Sequence, residues 1–536
     1  MALRLLSAVS VAALLAGSAQ AETVLHILHT NDLHSRIEPI NSSGSTCEAE
    51  SVAAGECFGG IARVAAKVRE LRDRIRADGG NVLVLDAGDQ YQGSLFYTTY
   101  KGKEVVEFMT AVGYDAMAVG NHEFDDGPEG LAVLAEGVEF PVVSGNLDLS
   151  QSNLLKGRVG DVITLDLAGG DKVGIVSTLA MDTPETAAPG PSVIFTDDLE
   201  SLRADVQELT DQGVNKIVAL THVGYLRDQD YARQVAGLDA IVGGHSHTLL
   251  GDMEGAEGPY PTMVAGPDGV EVPVVTANSY SKYLGHLILT FDDDGRLVKA
   301  EGEPILLDNS VPEDEAIAAR IKEMAAPIEE LRQQVVAEIA APIDGDRVNC
   351  RARECEMGTL VADAMLDRVK DQGIAIAFAN GGGLRASIDA GPVTMGEVYT
   401  VLPFQNTLAT FQLSGADVMT ALENGASQYE EGAGRFAQVA GLKYTVDPRA
   451  AVGNRVSEVL VPKEGQWVPI DPAETYGVVA NDYTRQGGDG YAIFANNAQN
   501  AYDFGPDLAE VLASYLAAQG AGYTPKLDGR ITVVGE

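Results

Sequence analysis

Positive charge is scarce in this chain: 37 Lys and Arg stand against 78 Asp and Glu, a net charge of −41 over 536 residues. A field of that sign repels phosphate polymers and anionic headgroups, so nucleic acid and acidic membrane surfaces are excluded as bulk partners. The excess suits a strongly solvated surface in a salty medium. An anionic small substrate remains admissible if positive charge is supplied locally. Cysteine is also scarce, and the four residues fall as two close pairs, Cys47/Cys57 and Cys350/Cys355. No C-x-x-C spacing and no adjacent histidine supports zinc binding through them, and in an exported chain two local disulfides are the default.

Long apolar runs are missing except at the start, where MALRLLSAVSVAALLAGSAQA combines Arg4, a short apolar stretch and an A-x-A pattern. That is the form of a secretory signal over residues 1–21, and it is too short for a membrane span. The C-terminal KLDGRITVVGE carries no hydrophobic anchor. The expected product is periplasmic or secreted, without a membrane anchor, and a monomer or weak dimer.

No internal repeat or low-complexity tract interrupts the chain, and its length calls for two or three domains. From VLHILHT through NVLVLD, YDAMAVG, FPVVSGN, KVGIVS and KIVALT to LDAIVGG, strand-like runs alternate with helical segments, predicting a layered α/β domain over 22–312. EDEAIAARIKEMAAPIEELRQQVVAEIAA reads as a helical linker, 313–341, interrupted by Pro327. Helix MGTLVADAMLDRVKD and strands IAIAFAN, TLATFQLS, KYTVD and TYGVVAN predict a second, α+β domain over 342–536.

All eight histidines precede residue 287. His26, His29 and His286 lie within strand runs, where packing or a hydrogen bond is the expected role. The others follow strand ends: His34 with Asp32, His122 with Asn121, His222, and the pair His245 and His247; Asp89 follows another. Singly, such residues also suit a satisfied turn or a surface position. In open α/β sheets, however, loops at the carboxyl ends of strands gather in one crevice, so five segments are expected to converge. Asp, His and Asn suit zinc, manganese or similar ions, and two such ions need a bridging carboxylate. The glycines at 243–244 are expected to give a tight turn that aims both following histidines into the crevice.

In this order, HTNDLHSR, LDAGDQYQGS, GNHEFDDG, THVGY and GGHSHT resemble the signature of the calcineurin-like metallophosphoesterases. The resemblance extends, over essentially the whole mature chain, to the secreted bacterial 5′-nucleotidase and UDP-sugar hydrolase family. It implies an α/β/β/α catalytic domain with two divalent metal ions, Zn, Mn or Co. Asp32, His34 and His247 would hold one ion, Asn121, His222 and His245 the other, and Asp89 would bridge them. Asp125 would support the imidazolium of His122, the pair acting as a catalytic dyad on transition-state or leaving-group charge. Attack would come from water or hydroxide carried by the ions. Many members of the family have Gln or Asn where this chain has His247.

The second domain carries further matches. FANGGGLRASI is either a plain turn or a glycine-rich turn offering N–H groups to an anion. Arg351 lies in the Cys350–Cys355 loop, where it is a solvated loop arginine or a fork for phosphate or ribose oxygens; Arg353 is closer to the solvated case. Phe404 suits a core or a stacking surface. The resemblance implies that Asn380, Arg351 and Arg385 contact substrate, that Phe404 and Tyr483 sandwich a base, and that Asp489 accepts ribose hydroxyls. The expected activity is release of phosphate from nucleoside 5′-monophosphates, with di- and triphosphates and UDP-sugars as further candidates. A 2′,3′-cyclic phosphodiesterase with 3′-nucleotidase activity, or a nucleotide-binding protein without turnover, are the alternatives. Because chemistry and recognition fall on different domains, the linker must bring them together.

Overall fold

Two β-sheets packed face to face form the first domain in the computed structural model, which describes residues 23–41, 47, 49–503, 505–520 and 523–535. The expected export signal lies outside the described residues. One sheet has seven strands in the order Leu297–Leu306, Tyr283–Phe291, Thr23–Thr30, Asn81–Asp86, Ala116–Ala118, Val142–Val143 and Val159–Gly160. The other has six: Thr262–Ala265, Glu271–Val275, Ala240–Gly243, Ile217–Thr221, Lys172–Val176 and Val162–Asp166. The strands that precede the candidate residues pair in parallel within each sheet. Buried on both faces, they read as continuous apolar runs rather than alternating ones. Leu25, Ile27 and Leu85 of one sheet meet Val218, Leu220 and Val242 of the other in a shared core.

Helices cover both outer faces, giving the expected four-layer α/β/β/α order. Ile61–Ala77, Lys103–Val112 and Gly127–Gly137 lie over the first sheet. Asp198–Asp211 and Tyr225–Gln234 lie over the second. In Ile61–Ala77 the buried residues include Ile61, Val64, Val68, Leu71 and Ile75, a three-to-four spacing that lays one stripe on the sheet.

The linker departs from expectation in its last third. Helix Glu315–Ala325 opens at Asp314, whose carboxylate accepts from the N–H groups of Ala316 and Ile317. Pro327 then imposes a 3₁₀ turn, and helix ends at Arg332. Val335–Ile339 is not helical; it is a strand antiparallel to Gly391–Thr394. Adjacent β-branched Val335 and Val336 weaken the helix, and the neighbouring strand supplies the backbone partners. Ile339 is buried in the core of the second domain.

That domain is α+β. Its mixed sheet runs Ala437–Ala440, Ile376–Asn380, Thr475–Asn481, Leu408–Ser414 and Gln499–Tyr502. Helices Glu356–Val369 and Leu508–Gln519 share a core on one side, and Gly415–Gly425 packs into a second core on the other. The cysteines pair as expected, Cys47 with Cys57 and Cys350 with Cys355. Among the described residues no helix is long and apolar enough to cross a membrane.

Of the strand histidines, His29 is fully buried, and His26 and His286 are half-buried. His26 Nδ1 lies 3.0 Å from His286 Nε2 on the neighbouring strand, and His29 Nε2 lies 2.7 Å from the Tyr260 hydroxyl. Burial, aided by nearby His286, pushes the fully buried His29 down to about 3. An unfolded histidine titrates near 6.5, so the unfolded chain takes up this proton first on acidification. Stability from neutral His29 is complete above about pH 6.5 and is lost toward about pH 3, by roughly 1 kcal/mol per pH unit. Chemical unfolding at a series of pH values should therefore show a shallower acid slope for His29→Gln than for the parent; parallel slopes would overturn this account.

Candidate active site

Left-handed backbone dominates the strand exits. Asp32, His34, Asp89, His245 and His247 have φ of 52°, 50°, 57°, 77° and 57°. Such a conformation costs a non-glycine residue roughly 1–2 kcal/mol, so its neighbours must hold it. Here two loops are zipped together: the N–H groups of Asp32, His34 and Ser35 donate to the carbonyls of Gly88, Asp89 and Gln90. Asp32 Oδ2 accepts from His245 N at 2.9 Å, and Asp89 Oδ1 from His122 N at 2.9 Å.

Gly243 and Gly244 serve these loops differently from the expected tight turn. Neither has positive φ; the turning residues are the histidines themselves. The glycines are there because nothing larger fits. A Cβ on Gly244 would stand 2.7 Å from Ala87 O, 2.9 Å from His222 Nδ1 and 3.1 Å from Asp32 Oδ2.

All seven expected ligands come together. Asp32, His34 and His247 offer atoms within 4.8 Å of one another, and so do Asp89, His222 and His245. Asn121 Oδ1 joins the second group, 3.2 Å from His222 Nε2 and 2.9 Å from His245 Nδ1. Asp89 belongs to that group and also to one with His34 and His122. Backbone carbonyls fix two tautomers. His34 Nδ1 donates to Tyr91 O (3.2 Å) and His222 Nδ1 to Ala87 O (2.7 Å), which leaves each neutral ring a lone pair on Nε2. His34 Nε2 then faces His247 Nε2 at 3.0 Å, and His222 Nε2 faces Asp89 Oδ2 at 3.1 Å. A lone pair that faces another ring or a carboxylate in a buried site calls for positive charge between them, from a shared proton or a cation. The residues therefore fit divalent metal ions, with nitrogen and oxygen donors and no thiolate.

The electrostatics agree. Burial, with nearby charge, holds His34, His245 and His247 far below the usual histidine range, so they stay neutral. Burial opposes charge on His222 as well, yet Asp89 and Asp32 raise it to about 10, marking where positive charge is wanted. His122 stands beside the cluster with Nδ1 2.7 Å from Asp125 Oδ2. Burial disfavours its charged form, but Asp125 and Asp89 outweigh burial and raise its basicity.

The second domain forms the opposite wall of a cavity of about 780 Å³ lined by Asp89, Asn121, His122, His245 and His247 on one side. Arg351, Asn380, Arg385, Phe404, Tyr483 and Asp489 line the other. Phe404 is half-buried rather than core, and its ring stacks on His122 with centroids 5.6 Å apart. Asp489 accepts from Asn380 Nδ2 at 2.6 Å and the Tyr483 hydroxyl at 3.3 Å. Arg385 Nη2 reaches within 3.1 Å of His34 Nε2. Arg353, by contrast, is exposed. In the glycine-rich turn, Gly381 N and Gly382 N donate to Phe436 O and Gly434 O, so neither is offered to an anion. A Cβ on Gly382 would lie 2.9 Å from Gly434 Cα; the glycines allow two backbones to touch.

Arg347 and Glu123 escaped the sequence reading, and Tyr280 could not be placed from it. Arg347 lines the cavity and donates from Nη2 to His245 O at 3.4 Å; its spacing of four from Arg351 was the available signal. Burial, then Arg347 and Arg385, hold the Arg351 guanidinium well below its ordinary range, and Arg351 Nε has no protein partner. Tyr280 stands edge-on to His34 and His247, with centroids at 5.7 and 5.4 Å. Glu123 lies beneath the cluster.

The family model for the calcineurin-like phosphoesterases matches residues 25–249, and that for the 5′-nucleotidase C-terminal domain matches 335–496. A 5′-nucleotidase of Homo sapiens is 38% identical over 529 residues, covering 95% of this chain and 90% of its own. The chain belongs to the 5′-nucleotidase family. A snake venom 5′-nucleotidase of Naja atra, another member of this family, is 37% identical over 533 residues, 95% of this chain and 98% of that one. A crystal structure of a 5′-nucleotidase precursor from Thermus thermophilus superposes with a TM-score of 0.90 at 42% identity, covering 96% of this chain and all of its own. Both domains of the family's architecture are thus matched; metallophosphoesterases use divalent metals, and this chain brings His and Asp side chains together in clusters that could hold them.

The geometry at Gly244 has a direct consequence. Gly244→Ala should destabilise the fold by about 1–3 kcal/mol, because the new methyl group meets backbone and two candidate ligands rather than open space. Thermal unfolding of the two proteins measures this, and equal midpoints would show that the close approach is relaxed at no cost.

Proposed function

We propose that this chain is an exported metal-dependent phosphohydrolase that releases phosphate from nucleoside 5′-monophosphates. One observation carries the reading. A buried group of acceptors that needs cations and a group of crowded guanidiniums that needs an anion face each other across a single cavity. A phosphate bridges such a pair.

In this reading Asp32, His34 and His247 hold one ion, Asn121, His222 and His245 the other, and Asp89 serves both. Divalent ions there, with zinc, manganese and cobalt all suited to the donors, supply Lewis acidity and neutralise phosphoryl charge. Arg347, Arg351 and Arg385 take the phosphoryl oxygens from the opposite side, in a site where burial strengthens every such contact. His122, protonated and held at Nδ1 by Asp125, presents Nε2 as the acid toward the developing charge of the leaving oxygen. Phe404 and Tyr483 offer π faces to a base, a contact worth roughly 1–3 kcal/mol per base and tolerant of base identity. Asp489, oriented by Asn380 and Tyr483, keeps lone pairs for ribose hydroxyls. Nucleoside di- and triphosphates and UDP-sugars present the same groups and are secondary substrates. The two disulfides support an oxidising compartment.

Metal-stripped protein, resupplied in turn with Zn, Mn and Co, should release phosphate from 5′-monophosphates in preference to 2′,3′-cyclic nucleotides. Cyclic substrates turning over far faster would replace this reading with a phosphodiesterase, and no turnover of any nucleotide would leave a binding protein. His122→Ala should lose about 10²–10⁴-fold in kcat while retaining its metal.

A further inference from the structure

Glu123 is fully buried in the turn between His122 and Phe124, and both of its oxygens are occupied by backbone. Oε1 accepts from Gln90 N at 2.8 Å and Tyr91 N at 3.2 Å. Oε2 accepts from Gly120 N at 2.7 Å and Asp89 N at 3.0 Å. Four N–H groups from two loops thus converge on one carboxylate. The connection is reciprocal, because Asp89 Oδ1 accepts from His122 N at 2.9 Å. Gly120 marks how tight the junction is: a Cβ there would stand 2.3 Å from both Asp89 N and Asp89 Oδ1.

We infer that Glu123 is a positioning residue that holds Asp89 on its left-handed backbone, so that one carboxylate faces both histidine groups. The inference rests on the proposed metal site. Backbone N–H groups only donate, so an acceptor-only carboxylate satisfies all four. Without it, Asp89, with φ of 57°, would relax toward a cheaper conformation. Released from Glu123, Asp89 would no longer sit opposite His222 Nε2 at 3.1 Å and His34 Nε2 at 3.7 Å. A carboxylate that orients a shared ligand in this way acts on both ions at once. Glu123 therefore governs the coupling of the two sites rather than the affinity of one.

The test is titration of metal-stripped mature protein with Co²⁺, followed by calorimetry and by the visible absorption of bound cobalt. Glu123→Gln keeps the volume but turns an NH₂ group toward N–H donors; Glu123→Asp keeps the charge on a shorter stem. Either folded variant should bind the ions about 10–100-fold more weakly, with a changed cobalt spectrum, and should recover kcat as metal is raised. Parent-like affinity, stoichiometry and spectrum in a folded variant, even one with a lowered Tm, would overturn the inference. Failure of both variants to fold would assign Glu123 a purely structural role and overturn it too. If the parent binds two ions and Glu123→Gln loses them, yet no nucleotide is hydrolysed, the proposed function falls and this inference stands.

Discussion

Strain in the backbone at three strand exits is the constraint on which the rest of this molecule depends. Asp32, His34, Asp89, His245 and His247 all occupy the left-handed region, and none is glycine. Unconstrained, each would move to a lower-energy conformation and its side chain would leave the cleft. What prevents this is the rigidity beneath them: two sheets sharing a dry core, strand exits at one edge, and loops bonded to one another through main-chain groups. Glycines at 243 and 244 add no flexibility; Gly244 lets the two sheets' loops approach closely enough for the side chains to meet, and Gly243 makes room for Asp228.

The second domain answers a different requirement. An acidic molecule that handles phosphate must concentrate its cations, and three arginines converge on the side of the cavity facing the acceptor cluster. Contacts already span the gap. Phe404 stacks on His122, Arg385 reaches His34, Lys101 Nζ donates to Gln405 at 3.1 Å, and Arg332 pairs with Glu38 at 2.8 Å. The proposed base-stacking surface and the proposed acid are thus in contact, so in this reading one arrangement of the two domains sets the placement of both nucleoside and phosphorus.

Much of this was legible in the sequence, because strand-end motifs are local and their convergence follows from a general rule of parallel sheets. Both disulfides and the gathering of Asp32, His34, Asp89, Asn121, His222, His245 and His247 could be read from short segments in order, and the four-layer order was implied by the family resemblance those segments carry. What was not legible depended on tertiary partners. Val335–Ile339 continues a helical pattern in composition and becomes a strand only because Gly391–Thr394 lies beside it. The glycines at 381–383 have the look of an anion-binding turn, yet their use is decided by Gly434 and Phe436, some fifty residues away. Glu123 was invisible for a related reason: its partners are backbone N–H groups, three of them on a loop some thirty residues away.

The arginines' position has a kinetic consequence. They line a recessed cavity, whereas the surplus of carboxylates that makes the charge −41 belongs mostly to the surface. At physiological ionic strength that surface field is felt over roughly 8 Å. An approaching nucleotide therefore meets repulsion first and attraction only within the cleft, the reverse of electrostatic steering. Added salt weakens the outer barrier more than the buried contacts, so encounter should quicken as ionic strength rises. The expected signature is an association rate that rises with salt, the opposite of a steered encounter.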